Sequence, residues 1–521
     1  MTLPFLSSLI GLPLLAALAL LAIPSEKAQR IVTGGTLALL FAVAIGLFVA
    51  GDYSAATPAY AERYAWAPAL GIDFALAVDG VSIVLVLLTV VLGGLAFLGS
   101  FGREGEQRTH GVAILTTVAT VLGAFMAQDL FLFFLCWEAM LVPAYVLLIR
   151  LGGDEGRRAA MRFFLYSLAG SAPFLVSLLV RVAEYHGFTG SYSFDPAELA
   201  RVVSPVAKQA LLFSGFALAF AVKMPIFPLH TWSPGAYSAS PTSGAILLGA
   251  LLLKVGSYGL LRFAIPLFPA GAQLVGPTLA VLAVVGILYG AFAAQAQSDL
   301  KKLVAYSSLS HMGFVGVGVL AFSTASASGA VLQMVNHGVV VAGLFLVVAV
   351  LEARRGSRGI DDFGGLARSM PFFAVAFMVI ALAGMGLPGT NGFVGEFLIL
   401  SGTFLADVGA GFFGGYAPLF ASVATLGVLF GSIYVLRAVG KVLFGPVSAE
   451  GGLGELTRAE KLSLGSVVAL VFFIGLYPSP LLERIEPTVE GLGAKTRIEA
   501  LSQLRDDSPR LLDATVAQND H

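Results

Sequence analysis

Apolar runs of about 20 residues recur along nearly the whole chain, separated by short polar stretches. Each run is long enough to cross the roughly 30 Å hydrocarbon core of a bilayer as a helix. Fourteen spans are predicted, at residues 3–24, 30–50, 79–101, 110–127, 129–150, 159–183, 208–229, 239–263, 274–297, 300–321, 327–351, 371–405, 416–443 and 461–482. Most connections are short, as expected of a packed bundle. The longer ones cover 51–78, 184–207, 352–370 and 444–460, and a charged tail follows residue 482. The first run begins at Leu3 with no basic stretch ahead of it, which marks a retained span and not a cleaved signal.

Two spans depart from the simple helical pattern. In 208–229, Pro225 and Pro228 follow Lys223; a proline inside a helix removes a backbone hydrogen bond and clashes with the preceding turn. In 371–405, the stretch Gly384-Met385-Gly386-Leu387-Pro388-Gly389-Thr390-Asn391-Gly392 interrupts an apolar run too long for one crossing. Broken backbone at membrane depth survives only where protein or water satisfies the freed groups. The broken span is the fourth of five in spans 4–8 and again in spans 9–13. A five-span unit reverses direction when repeated, so the pattern predicts two inverted five-helix repeats with a site between them. The plainer alternative is two unrelated proline kinks. The expected fold is all-α integral membrane, with about fourteen transmembrane helices and two broken ones. Its parts are an N-terminal three-helix segment (1–109), a first repeat (110–263), a second inverted repeat (274–443), and a last helix with the charged tail (444–521).

Composition supports the membrane assignment and narrows the function. The chain is 57% hydrophobic and only 12% charged, about half the charge of a soluble domain. Thirty basic residues face thirty-one acidic ones, so nothing points to nucleic acid as a partner. Cys136 is the only cysteine, which excludes an internal disulfide and argues against a cysteine-ligated cluster. Seventeen Lys and Arg residues follow odd-numbered spans, against five (Arg63, Arg181, Arg201, Lys208 and Arg262) after even-numbered ones. Basic residues concentrate on the cytoplasmic side, which predicts both termini on the other side.

The chemistry lies in ionisable residues inside the spans. Glu138 sits in the fifth span, Lys223 just before the first break, Lys254 in the eighth span, and Glu396 just after the second break. His311 and His337 occupy spans ten and eleven. A charge at a helix centre costs roughly 2.5–3.5 kcal/mol on insertion scales, so each needs a partner, water, or neutralisation through its pKa. A Glu138–Lys223 pair that opens and closes would load and unload a proton on Lys223; the alternative is a static pair that sets helix register. The histidines read as relay stations, since imidazole exchanges protons near neutral pH, or as hydrogen-bonded packing residues. Ser307, Ser308 and Ser310 near His311, and Asn336 beside His337, are candidates to hold bridging water. No third metal ligand accompanies the histidine pair in the sequence. Asp79 reads as a helix cap and not a proton carrier, and Asp299, Glu352 and Asp407 fall at span ends. His230 and Trp232 flank a loop and need no catalytic role. Phosphate-cradling glycine loops, paired catalytic carboxylates and nucleophile–His–acid sets are lacking.

At these positions the chain resembles the antiporter-like membrane subunits of respiratory complex I (NADH:quinone oxidoreductase), most closely the M-type, or chain 4, family. The match runs from about residue 75 to 445. It includes Val78-Asp79-Gly80-Val81-Ser82, Cys136-Trp137-Glu138, and Lys223-Met224-Pro225-Ile226-Phe227-Pro228-Leu229-His230-Thr231-Trp232. It continues through Ala305-Tyr306-Ser307-Ser308-Leu309-Ser310-His311-Met312-Gly313, Asn336-His337-Gly338, and Leu387-Pro388-Gly389-Thr390-Asn391-Gly392-Phe393-Val394-Gly395-Glu396-Phe397. The resemblance implies proton translocation along a central hydrophilic axis, driven by quinone reduction elsewhere. It makes Glu138 the modulating acid, Lys223 the pumping lysine, Lys254, His311 and His337 the connecting relay, and Glu396 the terminal site. Glutamate at 396 resembles the M type, where related subunits usually carry lysine. The chain also stops about forty residues after span fourteen, too soon for the long lateral helix of the L type.

The resemblance further implies no cofactor in this chain, with NADH, FMN, iron–sulfur clusters and quinone held by other subunits. Its partners would be the bilayer and other membrane subunits, including neighbouring antiporter-like ones, in a bacterial inner membrane. The same fold serves multisubunit sodium/proton antiporters and membrane-bound hydrogenases, which stand as alternatives. A free-standing solute transporter would need a roomy polar site, and a structural scaffold would leave the buried ions unexplained.

Overall fold

The computed structural model describes residues 4–54, 58–100, 105–406, 413–446, 453–505 and 510–511; Asp407 lies outside them. Among these residues thirteen helices are long and apolar enough to cross a membrane. They are α1 (Phe5–Ala22), α2 (Glu26–Ala50), α3 (Gly80–Leu98), α4 (Gln107–Met126), the pair α5 (Leu130–Ala139) and α6 (Leu141–Leu151), α7 (Gly153–Thr189), and α8 (Val206–Lys223). After the short helix α9 (Ser233–Ala239) come α10 (Thr242–Leu267), α11 (Pro269–Gln295), α12 (Leu300–Leu320) and α13 (Thr324–Arg355). The predicted twelfth crossing consists of two shorter helices, α14 (Pro371–Gly384) and α15 (Asn391–Phe404). It is followed by α16 (Ala417–Phe444), α17 (Arg458–Leu476) and α18 (Ser479–Arg505).

Burial orders the bundle. The most apolar window of α10 is 100% buried and those of α12 and α13 are 89% buried, against 28% for α1 and α17. A helix that is apolar all round belongs inside, and these three central helices carry Lys254, His311 and His337.

Both predicted breaks are present, and each has a local cause. At the first, Pro225 has no N–H to offer, so Ile226 N reaches back to Ala221 O at 2.9 Å. That leaves Val222 O open, and the indole Nε1 of Trp232 donates to it at 2.9 Å. Trp232 therefore seals the broken helix instead of merely flanking a loop. At the second break, Gly386 adopts φ +70°, a region costly for any residue with a Cβ. Asn336 Nδ2 donates to Asn391 O at 2.7 Å, holding the start of α15 against α13.

The two repeats share a further local feature. Asp129 caps α5 by accepting from Phe131 N (2.8 Å) and Leu132 N (3.0 Å). Asp299 caps α12 in the same way, from Lys301 N (2.8 Å) and Lys302 N (3.0 Å). The expected cap at Asp79 is also present, in a capping box with Ser82.

Several elements differ from expectation. The 51–78 connection contains an antiparallel hairpin, β1 (Ala59–Ala67) and β2 (Ile72–Val78). Its Glu62 accepts from Leu6 N at 2.8 Å and Ser7 N at 3.0 Å, receiving the open N–H groups at the start of α1. The fifth span is interrupted at Met140, because Pro143 cannot donate to the carbonyl one turn back. Residues 483–505 continue as helix α18, which places Leu481, Ile485 and Val489 inward at helical spacing, and Arg484 lies over the Phe48 ring at 4.1 Å.

Three basic residues counted with the loops lie within helices and have partners there, Arg181 and Lys301 buried and Arg262 partly buried. Arg181 donates to Leu267 O (2.6 Å) and Ser204 Oγ (2.9 Å). Arg262 pairs with Asp79 at 3.1 Å, and Lys301 Nζ donates to Ser240 O. One end of the bundle carries the β-hairpin and α18; the opposite, basic end carries the turns before α7, α12 and α17 and the 356–370 connection.

Candidate functional site: a buried file of titratable side chains

The eighth span is where local helix geometry is least regular. Within α10, Ile246–Leu252 and Leu260–Ala264 are π-helical and flank the short α-helical stretch carrying Lys254. Wider turns of this kind occur mostly at functional positions. Gly256 lets α8 approach closely: a Cβ there would meet Phe220 O at 2.8 Å and Lys223 Cβ at 3.2 Å. The end of the first broken helix is thus set beside the helix that bears Lys254.

Four of the six expected residues form one connected set. Lys254 is fully buried, and its Nζ lies 2.5 Å from His337 Nδ1 and 4.0 Å from Met312 Sδ. The rings of His337 and His311 face each other edge-on with centroids 5.8 Å apart. His311 Nδ1 is 3.0 Å from Glu396 Oε1, which also accepts from Gln333 Nε2 at 3.1 Å. Helices α10, α13, α12 and α15 therefore each contribute one titratable group, in that order through space.

Proton positions follow from the contacts. A nitrogen–nitrogen hydrogen bond needs one donor and one lone pair, so Lys254 and His337 cannot both present a hydrogen to each other. With an ammonium at Lys254, His337 accepts at Nδ1 and carries its hydrogen on Nε2, an atom buried without a protein partner. A carboxylate at Glu396 has only acceptors, and it meets donors from His311 and Gln333.

Glu138 and Lys223 stand apart from this set. Lys223 Nζ lies 4.5 Å from the centroid of the Trp137 ring, a cation–π contact with the residue before Glu138. Lys223 Nζ and Glu138 Oε1 each lack a hydrogen-bond partner. The structure thus holds the pair open.

The expected water-holding side chains are otherwise engaged. Ser307 and Ser308 donate to Val304 O at 2.8 and 3.0 Å, and Ser310 to Ile287 O at 2.9 Å, so only their lone pairs remain. Asn336 Nδ2 is spent on the second break, while its Oδ1 is buried without a hydrogen-bond partner. Two contributors were missed from sequence: Gln333, an amide one turn before Asn336 on an otherwise apolar helix, and Trp137, within the Cys136-Trp137-Glu138 motif. Gly386 also matters here, because a Cβ on it would lie 2.7 Å from Glu396 Oε2.

Residues 127–417 match the family described as NADH:quinone oxidoreductase/Mrp antiporter, transmembrane. NADH-quinone oxidoreductase subunit M of Rickettsia conorii is 37% identical over 503 residues, covering 95% of this chain and 99% of that one. A chain of respiratory complex I from Thermus thermophilus with bound NADH superposes with a TM-score of 0.85 at 32% identity, covering 94% of this chain and 99% of that one. A chain of the Mrp complex from Dietzia sp. DQ12-45-1b shares the fold, with a TM-score of 0.80 at 22% identity and coverage of 96% and 100%. On the strength of that near full-length similarity, the chain belongs to the M-type (chain 4) family of antiporter-like membrane subunits of NADH-quinone oxidoreductase.

Proposed function

We propose that this chain is the proton-translocating M-type subunit of a bacterial NADH-quinone oxidoreductase, moving protons along Glu138, Lys223, Lys254, His337, His311 and Glu396. The observation that carries this is the contact set at the centre of the bundle that runs from Lys254 to His337, across the ring contact to His311, and on to Glu396. Static ion pairs are poor stabilisers, and a lysine sharing one proton with a histidine serves transfer better than support. The open Glu138–Lys223 pair fits a modulating role, in which closure would hold the proton on the lysine.

Quinone reduction in other subunits would supply the energy, and those subunits would hold NADH, FMN, the iron–sulfur clusters and the quinone. With Cys136 alone, this chain cannot ligate a four-cysteine cluster. Neighbouring antiporter-like subunits and bilayer lipid are the expected partners. The repeats are taken as 110–263 and 274–443. Moving Arg181 and Arg262 out of the loops leaves the hairpin end poorer in basic residues, which supports placing it and both termini on the non-cytoplasmic side.

A sodium/proton antiporter subunit is the second reading, favoured by the matching family, whose description joins NADH:quinone oxidoreductase and Mrp antiporter chains. Both are tested in the reconstituted complex with Lys223→Ala and Glu396→Ala. Loss of proton pumping with retained electron transfer is expected; full pumping by either variant overturns the proposal.

A further inference from the structure

Lys223 stands at the inner end of a column of aromatic rings, its Nζ 4.5 Å from the centroid of Trp137. From there the rings follow one another toward the hairpin end. Trp137 lies 5.3 Å from Phe220, Phe220 5.4 Å from Phe174, Phe174 4.6 Å from Phe216, and Phe216 5.3 Å from Phe268, centroid to centroid. A second cation, the Arg181 guanidinium, covers the last ring at 5.0 Å. All five rings are at most 2% exposed. Helices α5, α7 and α8 and the α10–α11 junction supply them.

The sequence of α8 sets the direction of the column. Lys223, Phe220, Phe216, Phe213 and Gln209 recur at intervals of three and four residues and so share one face. Lysine and amide are fourteen residues apart, about 21 Å at 1.5 Å per residue. The outer end is a polar lid. Arg181 donates to Leu267 O at 2.6 Å and to Ser204 Oγ at 2.9 Å, and Glu184 meets Lys208 Nζ at 2.7 Å. Gln209 Nε2 donates to Ser204 O at 2.8 Å, and its Oε1 accepts from Ala270 N at 3.2 Å. Lys208 is exposed, which sets the lid at the bundle surface.

We infer that this column is a dry insulator that bars Lys223 from the hairpin face, so that the lysine gives up its proton only along the buried file. Rings at these separations are in contact, and the four phenyl rings offer water neither donor nor acceptor. A buried water needs roughly two to four polar partners, so no chain of water connects the lid to the lysine. Each terminal cation rests against a ring, which favours the charge without admitting water. The inference rests on the proton-translocating role and adds the barrier that keeps the first repeat from short-circuiting it.

The test follows the decay of an imposed pH gradient, without NADH, in proteoliposomes that hold the reconstituted complex and a pH-sensitive dye. Phe216→Ser and Phe174→Ser give water a hydrogen-bonding foothold in the column, letting Lys223 exchange with the hairpin face as well as with the file. Each is expected to speed the decay by about tenfold while NADH oxidation is retained. The two lie on different helices, so either carries the test if the other fails to assemble. Phe216→Leu stays apolar and is expected to decay at the parent rate. Combining Phe216→Ser with Lys223→Ala is expected to abolish the fast decay, because the leak runs through the lysine. Parent-rate decay in the assembled serine variants, or a leak that survives Lys223→Ala, overturns the insulator. That failure is separable from failure of the translocation role, which shows instead as full pumping by Lys223→Ala.

Discussion

Lys254 Nζ and His337 Nδ1 lie 2.5 Å apart at the centre of the bundle, on helices α10 and α13 from different repeats. The contact joins the helices of Lys254 and His337, and its geometry leaves room for one proton between the two nitrogens. It is buried, with Lys254 and His337 0% and 3% exposed, and His337 leads on to the His311 ring.

Replacing Lys254 with methionine is expected to remove that proton while preserving side-chain length and packing. Proton uptake by proteoliposomes, followed with a pH-sensitive dye, should fall by about tenfold or more, a barrier increase of roughly 1.4 kcal/mol. NADH oxidation by the uncoupled complex should persist. Pumping at the parent rate would show that the contact is purely structural.

Gln333→Leu leaves Glu396 with His311 as its remaining side-chain donor. A hydrogen bond to a charged group contributes about 1.5–3 kcal/mol. Pumping should therefore slow while the complex still assembles. Gln333→Glu is the harsher change, since it sets a second carboxylate against the first.

Gly386→Ala carries two penalties: a Cβ at φ +70° and a contact of 2.7 Å with Glu396 Oε2. The backbone conformation alone costs about 1–2 kcal/mol. Lower thermal stability of the detergent-solubilised complex and weaker pumping are both expected. Gly440→Ala, where a Cβ meets nothing within 4 Å, is the control.

Trp232→Phe keeps the ring against Phe163 and Tyr237 but removes the donor to Val222 O. An unsatisfied buried carbonyl costs about 1–3 kcal/mol. Because Val222 precedes Lys223, looser seating of the lysine and a lowered proton-to-electron ratio are expected.

Glu62→Ala removes the acceptor for Leu6 N and Ser7 N at the start of α1. A loss of about 1–3 kcal/mol is expected from the unmet donors. Faster proteolysis of the hairpin, with no change in pumping per assembled complex, would show that its role is structural.

The spans were legible because crossing a bilayer imposes length and apolarity on each helix, and both are one-dimensional properties. The breaks were legible for a similar reason, since Pro225 and Gly386 act on their own backbone. The hairpin at 59–78 was harder to see: it lies outside the apolar spans, and its pairing places Glu62 against a helix more than fifty residues away. Arg181, Arg262 and Lys301 looked like loop residues because a buried cation is recognisable only by the partners that satisfy it.

By itself the sequence determined that lysines, histidines and glutamates lie within apolar spans, and that two spans break beside Lys223 and Glu396. Residue type and depth carry that information locally. Only the tertiary structure decided which of those residues meet: Lys254 with His337, His311 with Glu396, and Lys223 with the Trp137 ring instead of Glu138. Contact between residues on separate helices depends on helix rotation and on the closeness that small side chains such as Gly256 permit. Those are properties of the packed bundle, which no single span contains.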